Sequence, residues 1–142
     1  MPTPATLSIL ANEEGLAALR NFVEVQARAA GLPEAEACDL LVAVHELAVN
    51  TVHYGYRGAP GTIEFELETV AGGVVARLRD HAPPFDPTRV PMPDTQRPLE
   101  LRAPGGFGIQ LARRFTDTLE YRQTSDGGNE LTLFKRHDNV GL

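Results

Sequence analysis

The stretch Val42-Ala43-Val44-His45-Glu46-Leu47-Ala48-Val49-Asn50 places a carboxylate and a carboxamide four residues apart in an otherwise apolar run. In a helix this spacing puts Glu46 and Asn50 on one face. Burying either side chain without a partner costs roughly 1–3 kcal/mol, so the sequence predicts a polar group opposite them. The two can be a hydrogen-bonded pair within the core. Alternatively they form a site, in which the Asn50 carbonyl is a hard oxygen ligand for Mg²⁺ and Glu46 orients or deprotonates a nucleophile.

The same stretch begins like the helical zinc motif H-E-x-x-H, with His45 and Glu46 as its first two residues. The second histidine of that motif falls at Val49, and the other histidines are scattered along the chain. Cys38 is the single cysteine, so no cysteine pair can complete a zinc site. The sequence therefore does not support a zinc enzyme.

Helix and strand signals flank this stretch on both sides. Asn12 offers an N-cap, with glutamates in the first turn, for a helix that Gly31 ends. The Pro-Glu pair at 33–34 begins a second helix, which contains the stretch above and ends near Gly55 or Gly58. Its middle is apolar on every side and is expected to be largely buried. The other predicted elements are strands over 6–10, 62–70, 74–78, 118–123 and 129–135 and a helix over 106–115.

The fold class follows from the alternation within these strands. Over 62–70 apolar side chains alternate with glutamates, which is typical of a strand with one wet face. Ala71-Gly72-Gly73 then turns the chain into the next strand as a hairpin, and a Ser-Asp-Gly-Gly turn joins the last two strands in the same way. We therefore predict an α/β (α+β) two-layer sandwich, in which helices cover one face of a mixed, mainly antiparallel sheet.

Length and composition bound the organisation of the chain. With 142 residues, 42% of them hydrophobic, the chain has enough apolar residues for one hydrophobic core and is short for two. We therefore predict a single domain over 1–142. The lone cysteine excludes an internal disulfide and fits a reducing cytosol. No window resembles a signal peptide or a membrane span, so we expect a soluble, cytoplasmic protein. A net charge of −6 argues against direct binding of nucleic acid.

Two loops have features that suit a nucleotide. Asp80 stands at a predicted strand end before the proline-fixed turn His81-Ala82-Pro83-Pro84-Phe85-Asp86-Pro87. It could accept a hydrogen bond there from an exocyclic amine such as that of adenine, although aspartate is also common turn chemistry. Pro104-Gly105-Gly106-Phe107-Gly108 leads into a helix and offers unpaired N–H groups to a phosphate. This segment is also compatible with a flexible turn, and it lacks the Walker pattern G-x-x-x-x-G-K-[ST].

In this order the three motifs resemble those of the GHKL ATPase superfamily, which includes histidine kinases, gyrase-type topoisomerases and heat-shock chaperones. Within it the chain is most similar to the RsbW-type anti-sigma-factor serine/threonine kinases. Glu46 and Asn50 resemble the N-box, residues 80–87 the adenine box with its P-F-D-P ending, and the glycines at 105, 106 and 108 the glycine-rich box. Thr132 matches a family threonine near the adenine. The resemblance covers nearly the whole chain.

The resemblance implies the Bergerat ATP-binding fold and binding of ATP or ADP with Mg²⁺. It implies that Asn50 holds the metal and binds the cofactor, that Asp80 binds the adenine amino group and that Glu46 is the general base. The other cofactor-binding positions that it implies are Ala82, Phe85, Gly105, Gly106, Phe107, Gly108 and Thr132. It further implies transfer of the γ-phosphate to a serine or threonine of a STAS-domain antagonist protein, competition with a sigma factor, and a homodimer.

Two positions depart from the family pattern. Ala82 stands where the adenine box normally has glycine, and Tyr54 stands where the family has a histidine, with His53 one place earlier. The segment between the adenine box and the glycine-rich box is short and proline-rich. Its arginines and those of the following helix could steady the γ-phosphate or could simply be a solvated surface. They are Arg89, Arg97, Arg102, Arg113 and Arg114.

The sequence leaves three interpretations of function open. The first is a serine/threonine kinase that also sequesters a sigma factor. The second is a nucleotide-binding protein-interaction switch without kinase activity, and the intact Glu46 favours the first over it. The third is a plain α/β domain in which Asn50 and Asp80 are structural.

Overall fold

A computed structural model of the chain describes residues 3–89 and 106–137, the side chain of Phe107 excepted. Its helices and strands confirm the predicted order. They are β1 (Ala5–Leu10), α1 (Glu13–Ala29), α2 (Glu34–Asn50), β2 (Thr62–Val70), β3 (Gly73–Asp80), α3 (Gly106–Arg114), β4 (Thr118–Gln123) and β5 (Asn129–Arg136). A π-helical turn, Thr51–Gly55, continues α2 directly, and a 3-10 turn, Pro87–Arg89, follows β3.

The five strands form one antiparallel sheet in the order β1-β2-β3-β5-β4. Both predicted hairpins, β2–β3 and β4–β5, are present. The chain passes through α3 and β4 before β5 returns to pair with β3. This pairing sets Asn129, the first residue of β5, opposite Asp80, the last residue of β3.

The helices cover one face of the sheet, which confirms the predicted two-layer sandwich. On β2 the side chains of Ile63, Phe65 and Leu67 are buried, whereas the glutamates between them lie on the other face. Leu40 and Leu47 of α2 are almost fully buried against this apolar face. No helix within 3–89 or 106–137 combines the length and the hydropathy of a transmembrane segment.

The first helix is anchored to the first strand at its N-terminus. Asn12 is the N-cap, as predicted, and its Oδ1 accepts a hydrogen bond from Gly15 N at 2.8 Å. A Cβ on Gly15 would overlap the backbone carbonyl of Leu10. Gly15 therefore allows α1 to begin in direct contact with the end of β1.

The other face of the sheet carries a ladder of ion pairs across four strands, β2, β3, β5 and β4. Arg77 bonds to Glu66 and Glu68 on β2. Arg79 and Arg122 both bond to Glu130, at 2.6 and 2.7 Å. The hydrogen bond from Arg122 and, more weakly, that from Arg79 lower the pKa of the Glu130 carboxyl, against the effect of its burial.

We expect Glu130→Gln to lower the free energy of unfolding by about 1 kcal/mol at neutral pH, because two charge-assisted hydrogen bonds lose their ionised acceptor. Since the pKa of Glu130 is lower in the folded state, this contribution exists above the ordinary value of 4.5 and is lost as the pH falls through the folded-state pKa. Urea unfolding from about pH 7 to about pH 3 should show wild type and variant converging in acid.

Glu120→Gln is the matched control. Glu120 lies on β4, on the same face of the sheet as Glu130, but it is exposed. It should change the stability little. An equal loss in the two variants would contradict a specific role for the Glu130 ion pairs.

Candidate functional site

Glu46 and Asn50 lie in the C-terminal part of α2. Asn50 is its last residue and is 5% exposed, whereas Glu46, one turn earlier, is half-buried. The amide nitrogen of Asn50 is buried without a hydrogen-bond partner. Within the described residues the two side chains therefore do not form the internal hydrogen-bonded pair that the sequence left open. The other interpretation, a ligand site, stays a prediction.

Helix α3 approaches α2 at this point through a glycine. A Cβ built on Gly108 would lie 2.7 Å from Glu46 Oε2 and 3.7 Å from Asn50 Nδ2. Any side chain at Gly108 would thus displace the Glu46 carboxylate. Gly106 begins α3, whose first turn points unpaired N–H groups out of the helix. Gly105 lies outside the described residues, as does the side chain of Phe107.

The π-helical turn after Asn50 links α2 to the sheet. Tyr56 N bonds to Thr51 O at 2.8 Å, which closes the wider turn. The Tyr56 hydroxyl donates to Thr62 O and accepts from His81 N, both at 2.8 Å. One side chain therefore ties the turn to the start of β2 and to the segment that follows β3.

Asp80 is buried at the C-terminal end of β3. Its Oδ1 accepts hydrogen bonds from Ala82 N and from Asn129 Nδ2, each at 2.9 Å. Its Oδ2 has no hydrogen-bond partner within 3–89 and 106–137. Burial raises the pKa of the Asp80 carboxyl above its ordinary value, and the hydrogen bonds from Asn129 and Ala82 partly oppose that rise.

A groove between α2, the π-helical turn and the end of the sheet brings Asn50 and Asp80 together. It contains about 330 Å³ of space free of protein atoms, part of it open to solvent, and only about 20 Å³ of this is open to the centre of a water molecule. The lining residues are Leu47, Asn50, Thr51, Gly55, Asp80, Ala82, Pro83, Phe85, Pro87, Asn129 and Leu131. The groove is therefore present but narrow.

Ala82, at the position where the resemblance implies glycine, lies opposite Gly55 in the groove. Ala82 is 2% exposed, and a Cβ built on Gly55 would lie 3.1 Å from the Ala82 methyl group. Gly55, on the opposite wall, thus provides the space that the methyl group occupies. Phe85 also lines the groove but is 41% exposed, so its ring lies at the mouth.

Thr132 lies on the other face of the sheet. Because successive side chains of a strand alternate, Asn129 and Leu131 face the helices, whereas Thr132 is paired with Arg77 on the open face. The structure therefore does not bring Thr132 to the groove, and it places Asn129 beside Asp80 instead. Asn129 was missed from the sequence because its pairing with Asp80 is not local. Its position directly after a glycine turn is the one sequence signal.

No arginine within the described ranges lines the groove. Arg89 is exposed and weakly paired with Asp86, and Arg114 is exposed. Arg113 is half-buried and donates to Pro87 O at 3.4 Å. Arg97 and Arg102 lie outside the described residues.

The two residues at the family histidine position also stay outside the groove. His53 lies 3.6 Å from Glu13, and its ring contacts Tyr54, which is 42% exposed. Neither side chain approaches Asp80 or Asn50 closely enough to line the groove. The structure therefore gives His53 no part in the site.

Residues 9–135 match the family of the histidine kinase-like ATPase domain, and the chain belongs to that family. It is 34% identical, over 95 residues, to the serine/threonine-protein kinase BtrW of Bordetella bronchiseptica, and the match covers 66% of each protein. The crystal structure of the RsbU and RsbW domains of Rv1364c from Mycobacterium tuberculosis has the same fold. Its TM-score is 0.67 at 17% identity, over 95% of this chain and 32% of that one. The chain thus spans less than two thirds of either relative.

These comparisons confirm the resemblance to RsbW-type members of the GHKL superfamily. An ATPase domain implies nucleotide binding.

We expect Gly55→Ala to weaken the binding of ADP with Mg²⁺ about tenfold, because the added methyl group overpacks the groove against Ala82. Ala82→Gly in the same chain should restore the affinity, and Ala82→Gly alone should bind at least as well as wild type. Calorimetric titration of the four proteins measures this. If Gly55→Ala binds ADP as tightly as wild type, Ala82 and Gly55 do not limit the width of the groove.

Proposed function

We propose that this chain is an ATP-binding anti-sigma-factor-type regulator. It transfers the γ-phosphate of ATP to a serine or threonine of a STAS-domain antagonist protein and sequesters a sigma factor. The observation that carries the proposal is the convergence of groups from three elements. Asn50 and Asp80 line one groove, and Gly108 lies against Glu46 beside Asn50. Such an arrangement suits a ligand with a flat base at one end and phosphates at the other.

The base end of the ligand is assigned to Asp80. The unpaired Oδ2 of Asp80 can accept a hydrogen bond from the exocyclic amine of adenine. Leu47 and Leu131 provide apolar walls for the ring, with Ala82 beside Asp80 and Phe85 at the mouth. A mostly apolar pocket with one convergent polar group is typical of small-molecule sites.

The phosphate end of the ligand is assigned to the start of α3. The N-terminus of a helix presents free N–H groups and a partial positive charge to an anion. Gly108 keeps this helix close to α2 because it has no side chain. We propose that the backbone of Gly105, Gly106, Phe107 and Gly108 binds the phosphates.

The residues near the phosphate end fit a magnesium ion that is shared with the nucleotide. No group of three or more His, Cys, Asp or Glu suited to a metal exists in the described part of the chain. Mg²⁺ is commonly held by one or two protein oxygens together with substrate phosphates. The carboxamide of Asn50, which is 5% exposed, can supply one such oxygen. Bound there, the ion would neutralise negative charge on the phosphates.

Glu46 is assigned as the general base. Its carboxylate is half-buried beside Asn50 and makes no hydrogen bond with any residue in the described ranges. It is therefore free to accept the proton of an acceptor hydroxyl as the oxygen attacks the γ-phosphorus and ADP leaves. Phosphoryl transfer otherwise depends mainly on positioning and on charge stabilisation, which the surrounding backbone N–H groups provide.

The similarity to the kinase BtrW and to an RsbW domain supports the choice of protein partners. We propose a STAS-domain antagonist as the acceptor of the phosphate and a sigma factor as the competing partner. We further propose that 1–142 is a single domain that acts in the cytoplasm, as a homodimer and without direct contact with nucleic acid.

We expect Asp80→Asn to abolish the rise in melting temperature that ATP with Mg²⁺ causes in the wild type. The asparagine oxygen can keep the bonds from Ala82 and Asn129, which turns its NH₂ group towards the amine of the base. The ligand-free variant should be at least as stable as wild type at neutral pH. The raised pKa of Asp80 means that its stabilising contribution is present below about pH 3.8 and is lost as the pH rises through the folded-state value.

Differential scanning fluorimetry with and without ATP measures both effects, and the stability difference between the ligand-free proteins should vanish in acid. A variant that keeps the full ATP response would refute the assignment of the base end.

We expect Glu46→Gln to reduce phosphate transfer by about 10²–10⁴-fold while ATP still raises the melting temperature, because the base is lost and the nucleotide contacts remain. The assay incubates the protein with radiolabelled ATP, Mg²⁺ and the STAS-domain proteins of the same genome. Absence of transfer by the wild type to any of them, together with normal ATP binding, would favour a nucleotide-binding switch over a kinase. Simultaneous loss of binding and transfer in Glu46→Gln would mean that its role is assigned wrongly.

A further inference from the structure

The carboxamide of Asn129 lies at the centre of a buried hydrogen-bond network at the base end of the groove. The side chain is 5% exposed, and every donor and acceptor that it has is used. Its Nδ2 donates to Asp80 Oδ1 at 2.9 Å, Ala82 O at 3.0 Å and, at 3.4 Å, Pro83 O, while its Oδ1 accepts from Tyr121 OH at 2.6 Å and Phe85 N at 3.1 Å.

The partners of this carboxamide allow only one orientation. The backbone carbonyl groups and the ionised Asp80 carboxylate can only accept hydrogen bonds, and the Phe85 N–H group can only donate one. Turning the amide over would set acceptor against acceptor and donor against donor. Asn129 therefore has no hydrogen-bonding capacity left for a ligand, although it lines the groove.

Tyr121 supports this orientation from outside the groove. It lies on the edge strand β4, opposite Leu131 of β5, and is half-buried. It is not among the residues that line the groove, so its hydroxyl can affect a ligand there only through the groups that it contacts, the carboxamide of Asn129 and the backbone N–H of Phe85.

We propose that Asn129, supported by Tyr121, is a positioning residue that makes the base end of the groove selective for an exocyclic amine. It holds Asp80 by one oxygen, which leaves the other as the polar group offered to the base. A purine with an amine at that position can donate to Asp80. A purine with a carbonyl there, such as hypoxanthine, meets a carboxylate and finds no donor, because the Asn129 NH₂ group is already fully used.

The proposal rests on nucleotide binding as proposed above. Without Asn129, Asp80 keeps one recorded partner, Ala82 N, and the carbonyl of Ala82 and the N–H of Phe85 lose theirs. The carboxylate and the turn then sample other positions, and the groove no longer discriminates between the two kinds of base.

The test compares the dissociation constants of ADP and of inosine diphosphate, each with Mg²⁺, for wild type, Tyr121→Phe, Asn129→Ala and the double variant. We expect wild type to prefer ADP. Tyr121→Phe should weaken ADP binding about 2- to 10-fold with little change for inosine diphosphate, since one hydrogen bond in the network is lost. Asn129→Ala should reduce the ratio of the two dissociation constants, and so the preference for ADP, more than Tyr121→Phe does. The double variant should match Asn129→Ala alone, because Tyr121 acts through Asn129.

Tyr54→Phe is the matched control, because the Tyr54 hydroxyl has no hydrogen-bond partner in the part of the chain that the structure describes. It should bind both nucleotides as wild type does. If Asn129→Ala does not fold, Tyr121→Phe decides the question by itself. An unchanged ADP preference in Tyr121→Phe, or effects of the two substitutions that simply add, would overturn the proposal.

Asp80→Asn separates a failure of this proposal from a failure of the proposed function. If Asp80→Asn loses ADP while the Tyr121 and Asn129 variants keep the full preference, the role of Asn129 is refuted and the nucleotide site stands. If wild type binds neither nucleotide, both proposals fall.

Discussion

The hydrogen bond from Asn129 to Asp80 joins the first residue of one strand to the last residue of its neighbour, where the sheet meets the helical layer. Both side chains are almost completely removed from water. Burying a carboxylate costs free energy that hydrogen bonds must offset, and here an amide and a backbone N–H group both donate to Oδ1 of Asp80. The end of β3, the start of β5 and the turn that follows Asp80 are held in one arrangement by this contact. The groove takes its shape from that arrangement.

The helical wall of the groove also contains a buried polar group, whose burial costs free energy. Asn50 ends α2 with a buried amide that nothing in the described ranges satisfies, and Glu46 lies one turn earlier with Gly108 against it. Asn50 lines the same groove as Asp80, and burying its amide nitrogen without a partner costs free energy.

Much of this architecture could be predicted because its signals are local. The N-cap at Asn12, the alternation along β2 and the glycine turns each depend on a few neighbouring residues, and each predicted an element that the structure contains. The face shared by Glu46 and Asn50 follows from helical spacing alone. These features carried the fold and one wall of the candidate site.

The parts that could not be predicted depend on contacts between distant segments. Which residue of the last strand meets Asp80 is decided by the register of β5 on β3. Shifting the register by one residue would move every side chain of β5 to the other face of the sheet. In the observed register Asn129 faces the helices, whereas Thr132 lies on the open face. The space that receives the Ala82 methyl group is provided by Gly55, on a turn of the other layer. Neither relation is visible within a window of neighbouring residues.

The π-helical turn after Asn50 also bears on how this segment tolerates changes in length. Its turn holds one more residue than an α-helical turn, so a deletion within 51–55 would let α2 continue as a regular α-helix. The shorter turn would still complete about one rotation, so the residues after the deletion would keep roughly their direction about the helix axis. Tyr56, whose hydroxyl bridges Thr62 and His81, would then stay on the same side of the helix. Related chains are therefore expected to tolerate the loss of one residue in this turn while they keep that bridge.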